Sequence, residues 1–339
     1  MKLIIDIIKL CMKGSGFMAN IKEVAKKANV SIATVSRVIN NKGYVNEETR
    51  KLVESAINDL QYIPNEFARS LYRKVSKTIG IIVPHLNNPF YYRVIEGIED
   101  IAFDFGYKVM LCNSRENIER EKEYLKQFIK YNIDGLIIGS NSNEIARYLE
   151  LNIPIVTIDR VISDEIPSVI SDNTCGGKKA AKKIIDNGCM NIVHFRGPST
   201  LLTVQQRAEG FNEYLSSLGL ACDEVDLDFI DPDTSIIADY LNTHPNIDGI
   251  FCDSDTIASY CMHELTKLGK KIPGDVQIIG YDNTILAQLT TPNLTTISQR
   301  MYNIGSEAMA SLESLISKSI LDTKHKVIPV TLIERESTK

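Results

Sequence analysis

From Ile21 onward the apolar positions of the chain keep a helical period. Ile21, Val24, Ala25 and Ala28 recur at the spacing of one helix face. Asn29, Val30 and Ser31 interrupt that run, and Ser31 is a favourable N-cap for a second helix with Val35, Val38 and Ile39 inward. "NKGY" turns the chain, and "NEETRKLVESAINDL" predicts a third helix with Leu52, Val53, Ala56, Ile57 and Leu60 inward. Three short helices, the first two joined by a tight turn, make the helix-turn-helix pattern, whose second helix enters a DNA major groove. Pro64 stops this module, so it is expected to span residues 18–64. Residues 65–76 come next, with "NEFARSLYRK" too brief to hold a helix in water unaided. They carry Asn65 as a cap, Ala68 and Leu71 on an apolar side, and the basic Arg69, Arg73 and Lys74. The segment reads either as a linker or as a hinge helix that forms on contact with DNA and a second copy.

After Lys77 the texture changes. β-branched apolar runs appear at "TIGIIVP", "YKVMLCNS", "DGLIIGSN", "PIVTIDR", "NIVHFRG", "DGIFCDS" and "VQIIGYD". Helical segments such as "YYRVIEGIEDIAFDFG", "EREKEYLKQFIKYN" and "DTIASYCMHELTKLG" separate them. This alternation predicts an α/β core of parallel sheets covered by helices. Residues 77–339 exceed what one such sheet usually needs, so two lobes are expected: about 77–173 with 298–312, and 174–297 with 313–339.

In open parallel sheets, ligands bind beyond the carboxyl ends of the strands. "TIGIIVP" is followed by "HLNNPFYY", "PIVTIDR" ends in Asp159-Arg160, and "NIVHFRG" leads to Arg207. "DGIFCDS" ends in Ser254-Asp255, "VQIIGYD" in Asp282, and "LTTISQ" in Gln299. Carboxylates, guanidinium groups and amides therefore collect where a cleft should be. Such a set suits a polyhydroxylated ligand: carboxylates accept from hydroxyls, arginine donates to oxygens, and an aromatic face covers the apolar side of a sugar ring. Any one of these residues alone would as readily be a loop cap or a surface charge.

Charge sharpens the division. Residues 18–77 carry 11 Lys/Arg against 6 Asp/Glu, a net of +5, and residues 1–17 add +2. With a total of −5, residues 78–339 hold −12. A basic module on an acidic body implies a polyanion partner for the first part only. Seven scattered cysteines form no C-x-x-C pair, which fits thiols in a reducing compartment and no metal framework. No P-loop, G-x-G-x-x-G after a strand, H-E-x-x-H or G-x-S-x-G is present, and the five histidines show no ligand spacing. No catalytic residue, cofactor or metal is expected, and no membrane span, since no apolar run approaches about 20 residues. Asp6 and Lys9 break the apolar stretch of residues 1–17, so export is not expected. These residues are read as a tail preceding a natural start at Met18.

The arrangement resembles the lactose-repressor (LacI/GalR) family of bacterial transcription regulators from Met18 to Lys339. The matching pieces are "IKEVAKKANVSIATVSRVIN", "GYVNEETR", "YIPNEFARSL", "DGLIIGS", "IPSVISDN", "IIGYDN", "LTTISQ" and "IERESTK". Within the family, "NEFARSLYRK", "NNPFYY", "IDR" and "RGPSTLLTVQQRAEGF" look most like ribose-operon repressors and the periplasmic ribose-binding proteins that share their core. The resemblance implies a helix-turn-helix domain joined to a two-lobed, periplasmic-binding-protein-like core. It implies a cytoplasmic homodimer on double-stranded operator DNA, with a small sugar effector. By the family pattern, Ser31, Ile32, Ala33, Thr34, Ser36 and Arg37 contact DNA, with Asn40 and Tyr44 near its backbone. Asn65 and Arg69 join them from the hinge, where Leu71 matches a leucine wedged into the minor groove. In the core it places Asn88, Phe90 and Tyr91 on one wall, with Asp159, Arg160, Arg207, Asp282 and Gln299 completing the pocket, to which the strand-end reading adds Ser254 and Asp255. Ser254 stands where ribose binders carry asparagine, and Tyr91 replaces a second phenylalanine, which leaves the sugar open. A sucrose- or fructose-type repressor fits the same frame.

Two rivals remain. A solute-binding protein for transport shares the core, but not the helix-turn-helix. A catabolite regulator answering to a phosphorylated carrier protein would need a docking surface and an incomplete pocket.

Overall fold

The computed structural model describes residues 19–62, 75–139 and 152–339. The chain divides into two compact units, with the boundary at Ser76 and Lys77.

The first unit contains α1 (Ile21–Lys27), α2 (Ile32–Asn40) and α3 (Glu47–Asp59). Each starts where a side chain satisfies an otherwise orphaned backbone N–H. Asn20 caps α1 in a reciprocal box with Glu23, Ser31 caps α2, and Asn46 caps α3. Asn29 takes a positive φ of 51°, and the Val30 N–H returns to the Ala25 carbonyl at 3.0 Å, which makes the tight turn. Val24, Ala25, Ala28, Val35, Val38, Val53 and Ala56 form the core, with Ile39, Ile57 and Leu60 against its edge. Leu52, expected inward, is 57% exposed. The buried stripe of α3 is Val53, Ala56, Ile57 and Leu60, and Leu52 lies about 100° around the helix from Val53.

The second unit is built on two six-stranded sheets. The first contains β1 (Thr78–Val83), β2 (Lys108–Asn113), β3 (Gly135–Ile138), β4 (Ile155–Ile158), β5 (Ser168–Ser171) and β11 (His325–Ile328). Its order is β11-β5-β4-β3-β1-β2, every pairing parallel. The second contains β6 (Ile192–Arg196), β7 (Asp223–Asp226), β8 (Gly249–Cys252), β9 (Gln277–Asp282), β10 (Thr295–Ser298) and β12 (Thr331–Ile333), in the order β12-β10-β9-β8-β6-β7. Only the β10–β12 pairing is antiparallel. Central strands are buried on both faces, which is why they read as unbroken apolar runs. In β1, Ile79, Ile81 and Val83 face one core cluster, and Ile82 faces the other.

Helices α4 (Pro89–Asp104), α5 (Ile118–Lys130) and α11 (Met301–Ile316) cover the first sheet. Around the second lie α6 (Asn173–Asp186), α7 (Leu202–Ser217), α8 (Thr234–Thr243), α9 (Asp255–Lys267) and the short α10 (Leu286–Leu289). The chain passes between lobes three times: after β5, after β10 and after β11. The expected division at its C-terminal end needs correction. Residues 313–328 were expected with the second lobe, yet Leu315 and Ile316 pack into the first lobe's core and β11 extends the first sheet beside β5. Only at β12 does the chain return to the second sheet. The end of α11 must stay with its own apolar face, so the crossing is delayed until after β11.

Candidate functional site

Each unit presents one candidate surface. In the first, α2 is divided by its two faces. Val35 and Val38 are buried, whereas Ile32 is 45% exposed and Ala33 and Arg37 face solvent. Ser31 Oγ accepts from the Thr34 N–H at 3.1 Å and lies 2.9 Å from Thr34 Oγ1. Asn40 Nδ2 donates to the Ser36 carbonyl at 2.8 Å and to Ser36 Oγ at 3.2 Å. These bonds fix the two ends of the helix while leaving its outer side open. Tyr44 stands 90% exposed in the turn after α2. An isoleucine and a tyrosine so open in a small bundle contribute little to its core. Asn65, Arg69 and Leu71 lie outside the described residues, as does the tail 1–17.

In the second unit the strand ends converge on a cleft of about 880 Å³ of empty space, its open mouth included. From the first lobe, Asn88 caps α4, accepting from the Phe90 N–H at 3.0 Å. That turn delivers Phe90 and Tyr91, whose rings meet edge to face at 5.0 Å. The Tyr91 hydroxyl donates to the Gly139 carbonyl at 3.1 Å. Asp159 follows β4 with φ at 65°, and its Oδ1 is buried without a protein partner. Burial raises its pKa to about 6, against the downward pull of Arg207 and Arg160.

From the second lobe comes Arg207, 4% exposed and held on three sides. Nε donates to Asn173 Oδ1 at 3.0 Å, a terminal nitrogen donates to the Asp253 carbonyl at 2.6 Å, and the guanidinium sits 3.9 Å from the Tyr281 ring centroid. It reaches Asn173 because α6 and α7 touch backbone to backbone. A Cβ on Gly177 would lie 2.0 Å from the Arg207 carbonyl oxygen. Asp253 is itself fixed by the buried His194 at 2.9 Å and by the Gly197 N–H at 3.1 Å. Asp282 closes β9, and burial pushes its carboxyl well above the usual range, with Arg207 pulling it back. Gln299 Nε2 donates to Asp282 Oδ1, which leaves Gln299 Oε1 buried without a protein partner.

Of the expected pocket residues, Asn88, Phe90, Tyr91, Asp159, Arg207, Ser254, Asp282 and Gln299 line this cleft together. Arg160 instead lines an adjoining recess with Glu116, Val161 and Leu202. Asp255 is a correction. Ser254 caps α9 and faces the cleft, but Asp255 is one helical step on and turns into the protein. It is fully buried and accepts from the Thr284 N–H at 2.6 Å and from the Thr296 hydroxyl at 2.6 Å. The cleft also contains residues that sequence reasoning passed over, among them His85, Glu116, Thr203, Asp228 and Phe229. The Phe229 ring lies against Gly197, where a Cβ would sit 2.1 Å from it. Phe229 follows β7, so recognising "DEVD" as a strand would have pointed to it.

The arrangement offers fixed donors on Arg207, orphaned acceptors on Asp159 and Gln299, and apolar rings. It suits a small ligand with several hydroxyls and an apolar face. Among the described residues no group of three or more His, Cys, Asp or Glu is placed to hold a metal ion. No helix described is long and apolar enough to cross a membrane.

Comparison with known proteins gives this geometry a family. Residues 20–65 match the model for bacterial regulatory proteins of the lacI family. Residues 76–336 match the model for periplasmic binding proteins and the sugar binding domain of the LacI family. The ribose operon repressor of Halalkalibacterium halodurans is 41% identical over 95% of this chain and 98% of its own. A periplasmic binding protein/LacI transcriptional regulator from Alkaliphilus metalliredigens QYMF, complexed with D-xylulofuranose, superposes with a TM-score of 0.72 at 32% identity, covering 78% of this chain and 99% of that one. The lac repressor dimer bound to operator and an anti-inducer superposes with a TM-score of 0.85 at 26% identity, over 94% and 99% of the two chains. With its helix-turn-helix unit matched by one model and its two-lobed unit by the other, the chain belongs to the LacI family of bacterial transcription regulators.

Proposed function

We propose that the protein is a cytoplasmic homodimer that represses a sugar-utilisation operon and leaves its operator when a small sugar, ribose or a close relative, binds the cleft. The carrying observation is that Asp159 after β4 and Gln299 after β10 both line the cleft beside Arg207, and each keeps a buried side-chain oxygen, Oδ1 and Oε1, with no protein partner. Each costs free energy until a donor reaches it. A ligand with several hydroxyls supplies donors to both. Among the described residues, four carboxyl groups, Asp159, Asp282, Glu116 and Asp228, line the cleft against one arginine, Arg207. That balance favours an uncharged sugar over a phosphorylated one. Two relatives support the reading, since one is a ribose operon repressor and another holds a pentulose.

On DNA, the exposed face of α2 reads bases. Ile32 and Ala33 meet thymine methyls, and Thr34, Ser36 and Arg37 meet base edges and phosphates beside Ser31. Asn40 and Tyr44 lie along the backbone. Asn65, Arg69 and Leu71 act from a hinge segment, with Leu71 as a minor-groove wedge. Coupling of about 1–3 kcal/mol between cleft and operator makes a working switch. Operator-binding titrations against ribose, other pentoses, fructose, sucrose and their phosphates test the proposal. Release by a free sugar supports it. No response to any sugar, with a response to a phosphorylated carrier protein, would hand the function to the catabolite-regulator reading.

A further inference from the structure

The turn that presents Asp282 to the cleft is braced from behind by two charged side chains that do not line it. Asp282 has φ at 107° and Asn283 at 60°, both in the region L-residues avoid. Such backbone is strained and persists only where its surroundings over-determine it. Here they do. Asp255 Oδ2 accepts from both the N–H and the hydroxyl of Thr284, at 2.6 and 3.0 Å, and Oδ1 accepts from Thr296 Oγ1 at 2.6 Å. Thr296 Oγ1 in turn accepts from the Asn283 N–H at 3.3 Å. From the other side, Arg335 donates through one terminal nitrogen to Asn283 Oδ1 at 2.6 Å and through the other to the Leu294 carbonyl at 2.8 Å. Arg335 is held in register by its own N–H on Thr295 Oγ1 at 2.9 Å, and two residues on, Ser337 Oγ donates to the Ile278 carbonyl at 2.6 Å.

We infer that Asp255 and Arg335 are positioning residues for effector recognition: they hold the Asp282–Asn283 turn in its strained form, so that the Asp282 carboxyl stays beside Gln299 in the cleft. The C-terminal stretch "IERESTK" thereby acquires a role in sensing, one residue removed from the ligand. Without the Arg335 fork, Asn283 Oδ1 and the Leu294 carbonyl lose a charged donor. The turn then relaxes towards ordinary φ values and carries the Asp282 side chain off its position. The inference rests on the sugar-responsive reading above.

A double-mutant cycle on the full-length protein tests it, with calorimetric titration of D-ribose, D-fructose and sucrose alongside operator binding without sugar. Arg335→Ala weakens sugar binding roughly tenfold, the loss of a charge-assisted, half-buried bond. Arg335→Lys, which keeps a donor but not the fork, falls between. In an Asp282→Asn background, Arg335→Ala adds less than about twofold, because the group it positions is already disabled. Operator affinity without sugar stays at the wild-type value. Equal losses in both backgrounds would overturn the inference, as would a lowered melting temperature with unchanged sugar affinity. If Arg335→Ala does not fold, Arg335→Lys carries the same cycle with the same two outcomes. If the unsubstituted protein binds none of the three sugars, the sugar reading fails first and takes the positioning role with it.

Discussion

The two lobes share an architecture and differ in how they hold their halves of the cleft. In the second lobe the main polar groups are tied down before any ligand arrives. Arg207 is gripped by Asn173, the Asp253 carbonyl and the Tyr281 ring, Asp253 by His194 and Gly197, and Asp282 by Gln299. In the first lobe the Phe90 and Tyr91 rings stand beside Asp159, whose Oδ1 has no protein partner. The second lobe is the more preorganised half, and an unmet acceptor remains on each side of the bonded set, Asp159 Oδ1 and Gln299 Oε1. A ligand docking first on the second lobe keeps its orientation at little entropic cost. It then offers the first lobe a reason to close.

The sharpest way to break this contrast is Arg207→Ala. It removes the hub of the bonded set and strands the Asp253 carbonyl and Asn173, so sugar affinity falls roughly a hundredfold, about 3 kcal/mol. Operator affinity without sugar is expected to persist, and calorimetry together with operator titration checks both. The next effect is one of pH. A carboxylate that accepts sugar hydroxyls must be ionised, and Asp159 is held at about 6, above its ordinary value of 3.8. Sugar affinity therefore weakens as pH falls through about 6, by up to roughly tenfold, and Asp159→Asn flattens the profile. The free protein moves the other way. Because the folded state binds this proton more tightly than the unfolded chain, its contribution to stability rises as pH drops from about 6 towards 4. Loss of both slopes in Asp159→Asn would assign them to this residue and not to Asp255 or Asp282, whose carboxyls burial also raises. The smallest effect belongs to Tyr91→Phe, which loses only the hydroxyl bond to Gly139. Sugar affinity shifts by less than about threefold and stability by about 1 kcal/mol, and a larger affinity loss would assign the hydroxyl, not the ring, to the ligand.

Much of this organisation was legible because of where strands are buried. β1, β3, β4, β6, β8 and β9 are covered on both faces, so their residues are largely apolar and their ends could be found. The strand-end rule then led to Asp159, Ser254, Asp282 and Gln299. It failed where a strand carried no such signal. β7 is a polar edge strand, "DEVD", so nothing pointed to Asp228 and Phe229 beyond it. β11 is half-exposed and short, so the last lobe crossing was placed too early. Asp255 was misread for another reason. Adjacency in sequence to Ser254 looked like adjacency in the cleft, but the first turn of a helix rotates successive side chains by about 100°. Leu52 was misplaced by the same geometry. What a strand end does not reveal is which of two neighbouring residues turns inward.

Each lobe is assembled from separate stretches of chain, since the backbone crosses between the sheets after β5, β10 and β11. The helical unit within residues 19–62 is continuous. The consequence is a rule about inheritance. A single recombination event can replace the reading head and send the regulator to a different operator. No single event can exchange one lobe for another. Such a regulator can change its address in one step, but its sense of taste must be altered residue by residue.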